Sequence, residues 1–287
     1  MQAKHLIALA GLLTLWMAQP VAAAAQTPGS VSIPAGGENE PATLDAMLFK
    51  PQGQGPFPAI VAMHGCSGLW SSKKKTELSP RHADWGQRLA ALGYVVIFPD
   101  SYGSRDLGPQ CKNGDREVEP YRERVEDANA ARRYLQTLPY VKPDAVALLG
   151  WSNGGSTVLY TVRPKDKPRA DSPDFRAAVA FYPGCTAQAE KGDWATRVPL
   201  LILMGDADDW TPAKPCKELA ADNTDSVKLI LYPGAYHDFD NAAQPLHELD
   251  GLAFTANGDG TAHAGLDPAA LAAARKDVPD FLATPKQ

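Results

Sequence analysis

The sequence has no long run of like charge, no metal-ligand spacing and no apolar stretch long enough to cross a bilayer. Each of these absences closes a class of function. Lysine and arginine number 28 against 33 acidic residues, a formal net charge of -5 over 287 residues. Chains that bind nucleic acid carry a basic face. Here the only basic cluster is Lys73-Lys74-Lys75, which reads as a solvated loop, so no nucleic-acid partner is expected. Cysteine is sparse, with four residues. No Cys-x-x-Cys pair or histidine-rich tract accompanies them, so no metal and no cofactor is expected. Asn257-Gly258-Asp259-Gly260 has the look of a calcium loop but lacks the glutamate that such a loop needs, and it reads as a turn. There is no internal repeat and no composition break that would mark a second domain.

The beginning of the chain differs in kind from the rest. Leu6 to Met17 is apolar but too short to span a membrane. Lys4 and His5 precede it, and the small residues Val21-Ala22-Ala23-Ala24-Ala25 follow. That order is a signal peptide over residues 1–25. It predicts an exported protein, periplasmic or extracellular, with no membrane span after cleavage. In an oxidising compartment Cys66, Cys111, Cys185 and Cys216 suggest two disulfides, for which three pairings are possible.

Beyond a polar leader over residues 26–40, short apolar runs alternate with amphipathic stretches. Strands are expected at Thr43 to Phe49, Phe57 to Met63, Tyr94 to Phe98, Ala145 to Leu149, Ala177 to Phe181, Pro199 to Met204 and Val227 to Leu231. Trp85, Leu89 and Leu92 recur at helical spacing before Gly93, and Tyr121 to Leu138 is a second helix. A third follows Ser152, Pro212 to Ala221 is a fourth, and Asp267-Pro268 caps a last one reaching about Val278. Segments 101–120 and 240–266 read as inserted loops. Strands alternating with helices predict an α/β protein. The expectation is one domain over residues 41–287, with a mostly parallel sheet of about eight strands and helices on both faces.

Chemistry concentrates at Gly150-Trp151-Ser152-Asn153-Gly154-Gly155. A strand that turns abruptly into a helix presents the serine hydroxyl at its apex, and glycine on both sides permits the bend. Alone, a Gly-x-Ser-x-Gly match is weak, with about 0.08 chance matches expected at this composition. A serine hydroxyl also needs a base, and the base needs an orienting carboxylate. Asp208 follows the strand Pro199 to Met204, and His237 follows Val227 to Leu231. Serine, acid and histidine therefore occur in the order that an α/β-hydrolase requires. The oxyanion would be held by the backbone amides of Asn153 and of Cys66, the latter next to Gly65 in the loop His64-Gly65-Cys66-Ser67-Gly68. Trp151 reads as packing behind the elbow. Tyr102 and Trp210 are the aromatic candidates for a substrate pocket, while Arg105, Lys112 and Arg116 read as solvated loop cations.

Several of these pieces together resemble the dienelactone hydrolase family of the α/β-hydrolase superfamily. They are His64-Gly65-Cys66, Asp100-Ser101-Tyr102-Gly103, the Arg124 to Ala131 helix, Gly150 to Gly155, Gly205-x-x-Asp208-x-x-x-Pro212 and His237-x-Phe239. The resemblance selects Asp208 over Asp206 and Asp209. It departs from the family's founding type in two places: Ser152 stands where that type has a nucleophilic cysteine, and Asn241 stands where it has an arginine. What the resemblance implies is a serine hydrolase for a small-molecule ester or lactone, the founding substrate not being specified. A serine peptidase or acyltransferase on the same scaffold, and a non-catalytic binding protein, are the alternatives. In such a fold Cys66 and Cys111 follow neighbouring strands, as do Cys185 and Cys216, which favours the pairings Cys66–Cys111 and Cys185–Cys216.

Overall fold

The computed structural model describes residues 27–35, 43–166 and 172–284. The expected signal peptide over residues 1–25, and residues 26 and 36–40 of the leader, lie outside the described residues. Eight strands form one sheet: β1 (Gly29–Pro34), β2 (Thr43–Phe49), β3 (Phe57–Met63), β4 (Val95–Pro99), β5 (Val141–Trp151), β6 (Ala178–Phe181), β7 (Leu200–Gly205) and β8 (Val227–Tyr232). Their spatial order is β1-β2-β4-β3-β5-β6-β7-β8. β1 and β2 are antiparallel to each other, and β2 is antiparallel to β4; from β4 to β8 every pairing is parallel. Ile60, Val61, Ala62 and Met63 are consecutive and all fully buried, so helices cover both faces of the sheet at its centre.

The helices are α1 (Pro80–Ala91), α2 (Glu123–Thr137), α3 (Asn153–Thr161), the single turn α4 (Thr186–Ala189), α5 (Ala213–Asp222) and α6 (Pro268–Ala283). α1 begins with Pro80 at its first position and the Ser79 hydroxyl accepting from the His82 amide, and it stops at Gly93, whose φ of 93° only glycine adopts easily. α6 is capped by Asp267, whose carboxylate accepts from the Ala270 amide at 2.8 Å. α1 and α6 are linked by an ion pair between Asp84 and Arg275.

Several elements depart from the sequence reading. The polar leader contains β1: Ile33 is buried and Val31 half-buried, an alternation too short and too diluted by serine and glycine to stand out. Segment 240–266 is not all loop, for β9 (His247–Leu249) and β10 (Ala262–Ala264) pair antiparallel. α6 runs five residues past Val278 through Pro279. Burial of Leu282, and the Arg176 guanidinium donating to the carbonyls of Leu282 and Thr284 at 2.7 Å, offset the hydrogen bond that proline cannot make. β5 also begins four residues before the expected Ala145.

The register of the central strands positions the chemistry. Met63 at the end of β3 pairs with Gly150 near the end of β5, so the loop starting at His64 lies beside Ser152. β7 ends at Gly205 against Tyr232 of β8, which brings the loops carrying Asp208 and His237 together. All four loops leave the carboxyl edge of the parallel strands, where sites in such sheets form.

Candidate active site

Ser152 sits between β5 and α3 with φ 52° and ψ -116°, a conformation costly for a residue with a side chain. Its neighbours enforce it. A Cβ on Gly150 would meet the Gly154 carbonyl oxygen at 2.3 Å, and one on Gly154 would meet that of Met63 at 2.1 Å. Only glycine lets the two backbones approach this closely. Trp151 points the other way and is fully buried, with its ring stacked between Phe98 and Phe181.

The Ser152 hydroxyl lies 2.9 Å from His237 Nε2, and His237 Nδ1 lies 2.8 Å from Asp208 Oδ2. Asp208 is held from several directions. Its Oδ1 accepts from the amides of Trp210 at 2.9 Å and Thr211 at 2.8 Å, and the Thr211 hydroxyl donates to Oδ2 at 3.0 Å. The neighbouring carboxylates are committed elsewhere: Asp206 accepts from the Gly234 amide, and Asp209 binds His263 at 2.7 Å. Burial alone would depress the pKa of His237, but the charge and hydrogen bond of Asp208 outweigh it and raise the pKa above the ordinary histidine value. His263 and His247 lie on the β9–β10 ribbon; His247 is bonded to Gln244 and to the Pro245 carbonyl.

The amides of Cys66 and Asn153 donate to no acceptor among the described residues, Asn153 being the first residue of α3. Cys66 is tied to Cys111 by a disulfide, and its carbonyl accepts from the Gln110 amide at 2.7 Å. The second disulfide joins Cys185 to Cys216. His64 is a structural neighbour of this loop. Burial, helped by the charge of Arg124, holds its pKa well below the usual value, and the neutral ring bonds the Gly65 carbonyl through Nδ1 and accepts from the Ser101 amide through Nε2.

Of the two aromatic candidates, Trp210 is nearly buried, its ring centroid 4.7 Å from that of His237. With Cys66, Leu252 and Ala262 it forms a small apolar cluster separate from the main core. Tyr102 is 1% exposed, packs edge-on against His64 and turns its hydroxyl to Asn153 Oδ1 at 3.3 Å, so it stands behind the oxyanion loop. The loop cations are engaged: Arg105 pairs with Asp127, Lys112 with Asp250, and Arg116 lies over the Phe254 ring. No cluster of side chains suited to a metal ion occurs among the described residues.

Sequence reading missed a buried polar network beneath the histidine. Asp240 accepts from Trp85 Nε1 at 2.7 Å, Trp151 Nε1 at 2.8 Å and the Tyr182 hydroxyl at 2.6 Å. Arg81 donates to Asp238 and to the Tyr182 hydroxyl. The signal available in sequence was Asp238-x-Asp240 directly after His237, two carboxylates flanking an aromatic residue that is itself fully buried.

The elbow at the end of a parallel strand, with acid and histidine on the next loops in order, defines an α/β-hydrolase. A family model for the dienelactone hydrolase family matches residues 44–284, and the chain belongs to that family, whose members are hydrolases acting on ester bonds. A Bradyrhizobium protein named "Probable 2-oxo-3-(5-oxofuran-2-ylidene)propanoate lactonase" is 26% identical over 68% of this chain and 78% of its own length. Among solved structures, Thermogutta terrifontis esterase 2 phosphorylated by paraoxon aligns with TM-score 0.60 and 21% identity, covering 90% of this chain and 94% of that one. A dienelactone hydrolase-like promiscuous phosphotriesterase from metagenomic libraries aligns with TM-score 0.61 and 19% identity over 90% and 98%. At these identities the structural likeness speaks for the fold.

Proposed function

We propose that this protein is an exported serine hydrolase that cleaves a carboxylic ester or lactone through an acyl-enzyme on Ser152. The observation that carries the reading is the continuous chain from the Ser152 hydroxyl through His237 to Asp208, at 2.9 and 2.8 Å, beside two unspent backbone amides. His237 Nε2 takes the serine proton as Oγ attacks the ester carbonyl, and Asp208 holds the imidazole in the required orientation and stabilises its charge. The carbonyl oxygen, now an oxyanion, is received by the amides of Cys66 and Asn153. Collapse breaks the bond to the alcohol, which leaves with the proton from His237. Water then gives a proton to His237, attacks the acyl group and releases the acid. In a lactone the freed hydroxyl stays tethered to the acyl group through the ring carbons, and the second step releases both as one hydroxy acid.

The small apolar cluster around Trp210 and Leu252, next to His237, favours a substrate with an uncharged group on that side. The lactonase name of the Bradyrhizobium relative adds support for a compact cyclic ester as one substrate class. Export is supported by residues 1–25 and by two disulfides, which persist in an oxidising compartment.

The test is hydrolysis of short-chain, aromatic and lactone esters by the wild type and by Ser152→Ala. Loss of the nucleophile should lower turnover by about 10³-fold or more. Equal inactivity of both proteins on every ester would overturn the reading.

A further inference from the structure

Arg124 is the second residue of α2, is completely buried and has no carboxylate within ion-pairing distance among the described residues. Both facts work against stability. A cation in the first turn of a helix opposes the helix dipole, and a buried charge normally requires a counter-charge. Asp127, one turn further on, gives both its oxygens to Arg105. The guanidinium of Arg124 is left with neutral acceptors: Asn153 Oδ1, the His64 carbonyl at 2.6 Å and, at the longer distance of 3.4 Å, the Ser101 hydroxyl. It also lies over the Tyr102 ring, 5.2 Å from the centroid.

The two close acceptors belong to the two halves of the proposed oxyanion hole. Asn153 carries one amide. His64 precedes by two residues the amide of Cys66. The fork of Arg124 thus spans from the elbow to the oxyanion loop, segments 89 residues apart in sequence that no disulfide joins.

We infer that Arg124 is a positioning residue for the oxyanion hole: it holds the Asn153 and His64–Cys66 segments in register, and its unneutralised charge favours the oxyanion over the neutral ester. In the resting site the cation has no anionic partner. When the carbonyl oxygen gains its charge, a counter-charge forms on the far side of the same two peptide segments. That interaction strengthens on going to the transition state, so it acts on turnover more than on substrate binding. The inference rests on the proposed ester-cleaving role of Ser152.

The experiment compares the wild type, Ser152→Ala, Arg124→Lys and Arg124→Met in ester kinetics, alongside affinity for a trifluoromethyl ketone, which Ser152 converts to a tetrahedral anion. Circular dichroism establishes that each variant is folded. Arg124→Met is expected to lower kcat by about 10²-fold, the scale of losing one oxyanion donor, with KM within about threefold. Its affinity for the ketone should fall in parallel. Arg124→Lys keeps the charge but not the fork, and should fall between the two; it also decides the matter if Arg124→Met does not fold. The inference is overturned if a folded Arg124 variant keeps kcat within threefold of wild type, if KM rises with kcat unchanged, or if ketone affinity is unaltered. A wild type no more active than Ser152→Ala would instead sink the ester-cleaving reading itself.

Discussion

Arg81 and Arg124 are both buried, both the second residue of a helix, and both within reach of the loops that carry the site, yet they are held in opposite ways. Arg81 donates to the Asp238 carboxylate, with Asp240 in the same network, and these anions raise its pKa against the lowering effect of burial. Arg124 meets only neutral oxygens, and burial lowers its pKa. In the first case the charge is spent inside the fold, fastening α1 to the segment after His237. In the second it is left unbalanced beside the two amides. The comparison separates charge used to hold a structure from charge kept available for a reaction.

The contrast can be broken most strongly at Arg81. Arg81→Met leaves the partly exposed Asp238 and the buried Asp240 without a cation, a loss of up to about 3–5 kcal/mol of stability for breaking such a pair. For a chain of this size that is a fall of roughly 10 °C in unfolding midpoint. Arg124→Met, which leaves only neutral acceptors unsatisfied, should fall by less while losing more turnover in proportion. Equal changes in melting for the two variants, measured calorimetrically, would erase the distinction.

A smaller effect lies in acid. Burial raises the pKa of Asp238 but the Arg81 charge more than offsets this, leaving it below the ordinary carboxylate value. Its contribution to stability is therefore complete above the unfolded value near 3.8 and is lost as pH falls through the lower folded value. Asp240, raised by burial, works in the opposite sense and reduces the net slope. Melting midpoints between pH 2 and 5 should fall less steeply in Arg81→Met than in the wild type; parallel curves would mean that the pair contributes nothing to acid sensitivity.

The smallest expected change is a displacement along the pH axis. His237 must be neutral to accept the serine proton, and its raised pKa places the acid limb of activity above the ordinary histidine value of about 6.5. Asp208→Asn removes the raising charge, so the limb should move to lower pH as turnover drops. A kcat/KM profile whose limb stays in place would show that Asp208 does not set it.

Which of these features could be read beforehand follows from how each is encoded. Gly150, Gly154, Gly205 and the order Ser152, Asp208, His237 express local backbone demands, so a short motif carries them. The parallel strands from β3 to β7 were legible because both faces are largely buried and their sequences are nearly continuous in apolar residues, and the edge strand β8 was legible from its run Leu229-Ile230-Leu231. β1 was not, since an edge strand needs only one buried face and Ile33 alone marks it strongly. The β9–β10 ribbon is three residues a side, below the length at which alternation can be seen. Arg124, Asp240 and Arg81 depend on partners 23 to 157 residues away, and no short sequence window contains both ends.

The chain after β8 has a root and a tip. His237 to Asp240 is fastened from below by Arg81, Tyr182, Trp85 and Trp151, and the returning strand comes back to the same place, the Gly265 amide donating to the His237 carbonyl and the Asp267 amide to that of Phe239. Residues 241–264 are thus clasped at both ends by the segment that carries the base. Such an arrangement works like an exchangeable cassette: the ribbon can be lengthened, shortened or rewritten while the root stays seated.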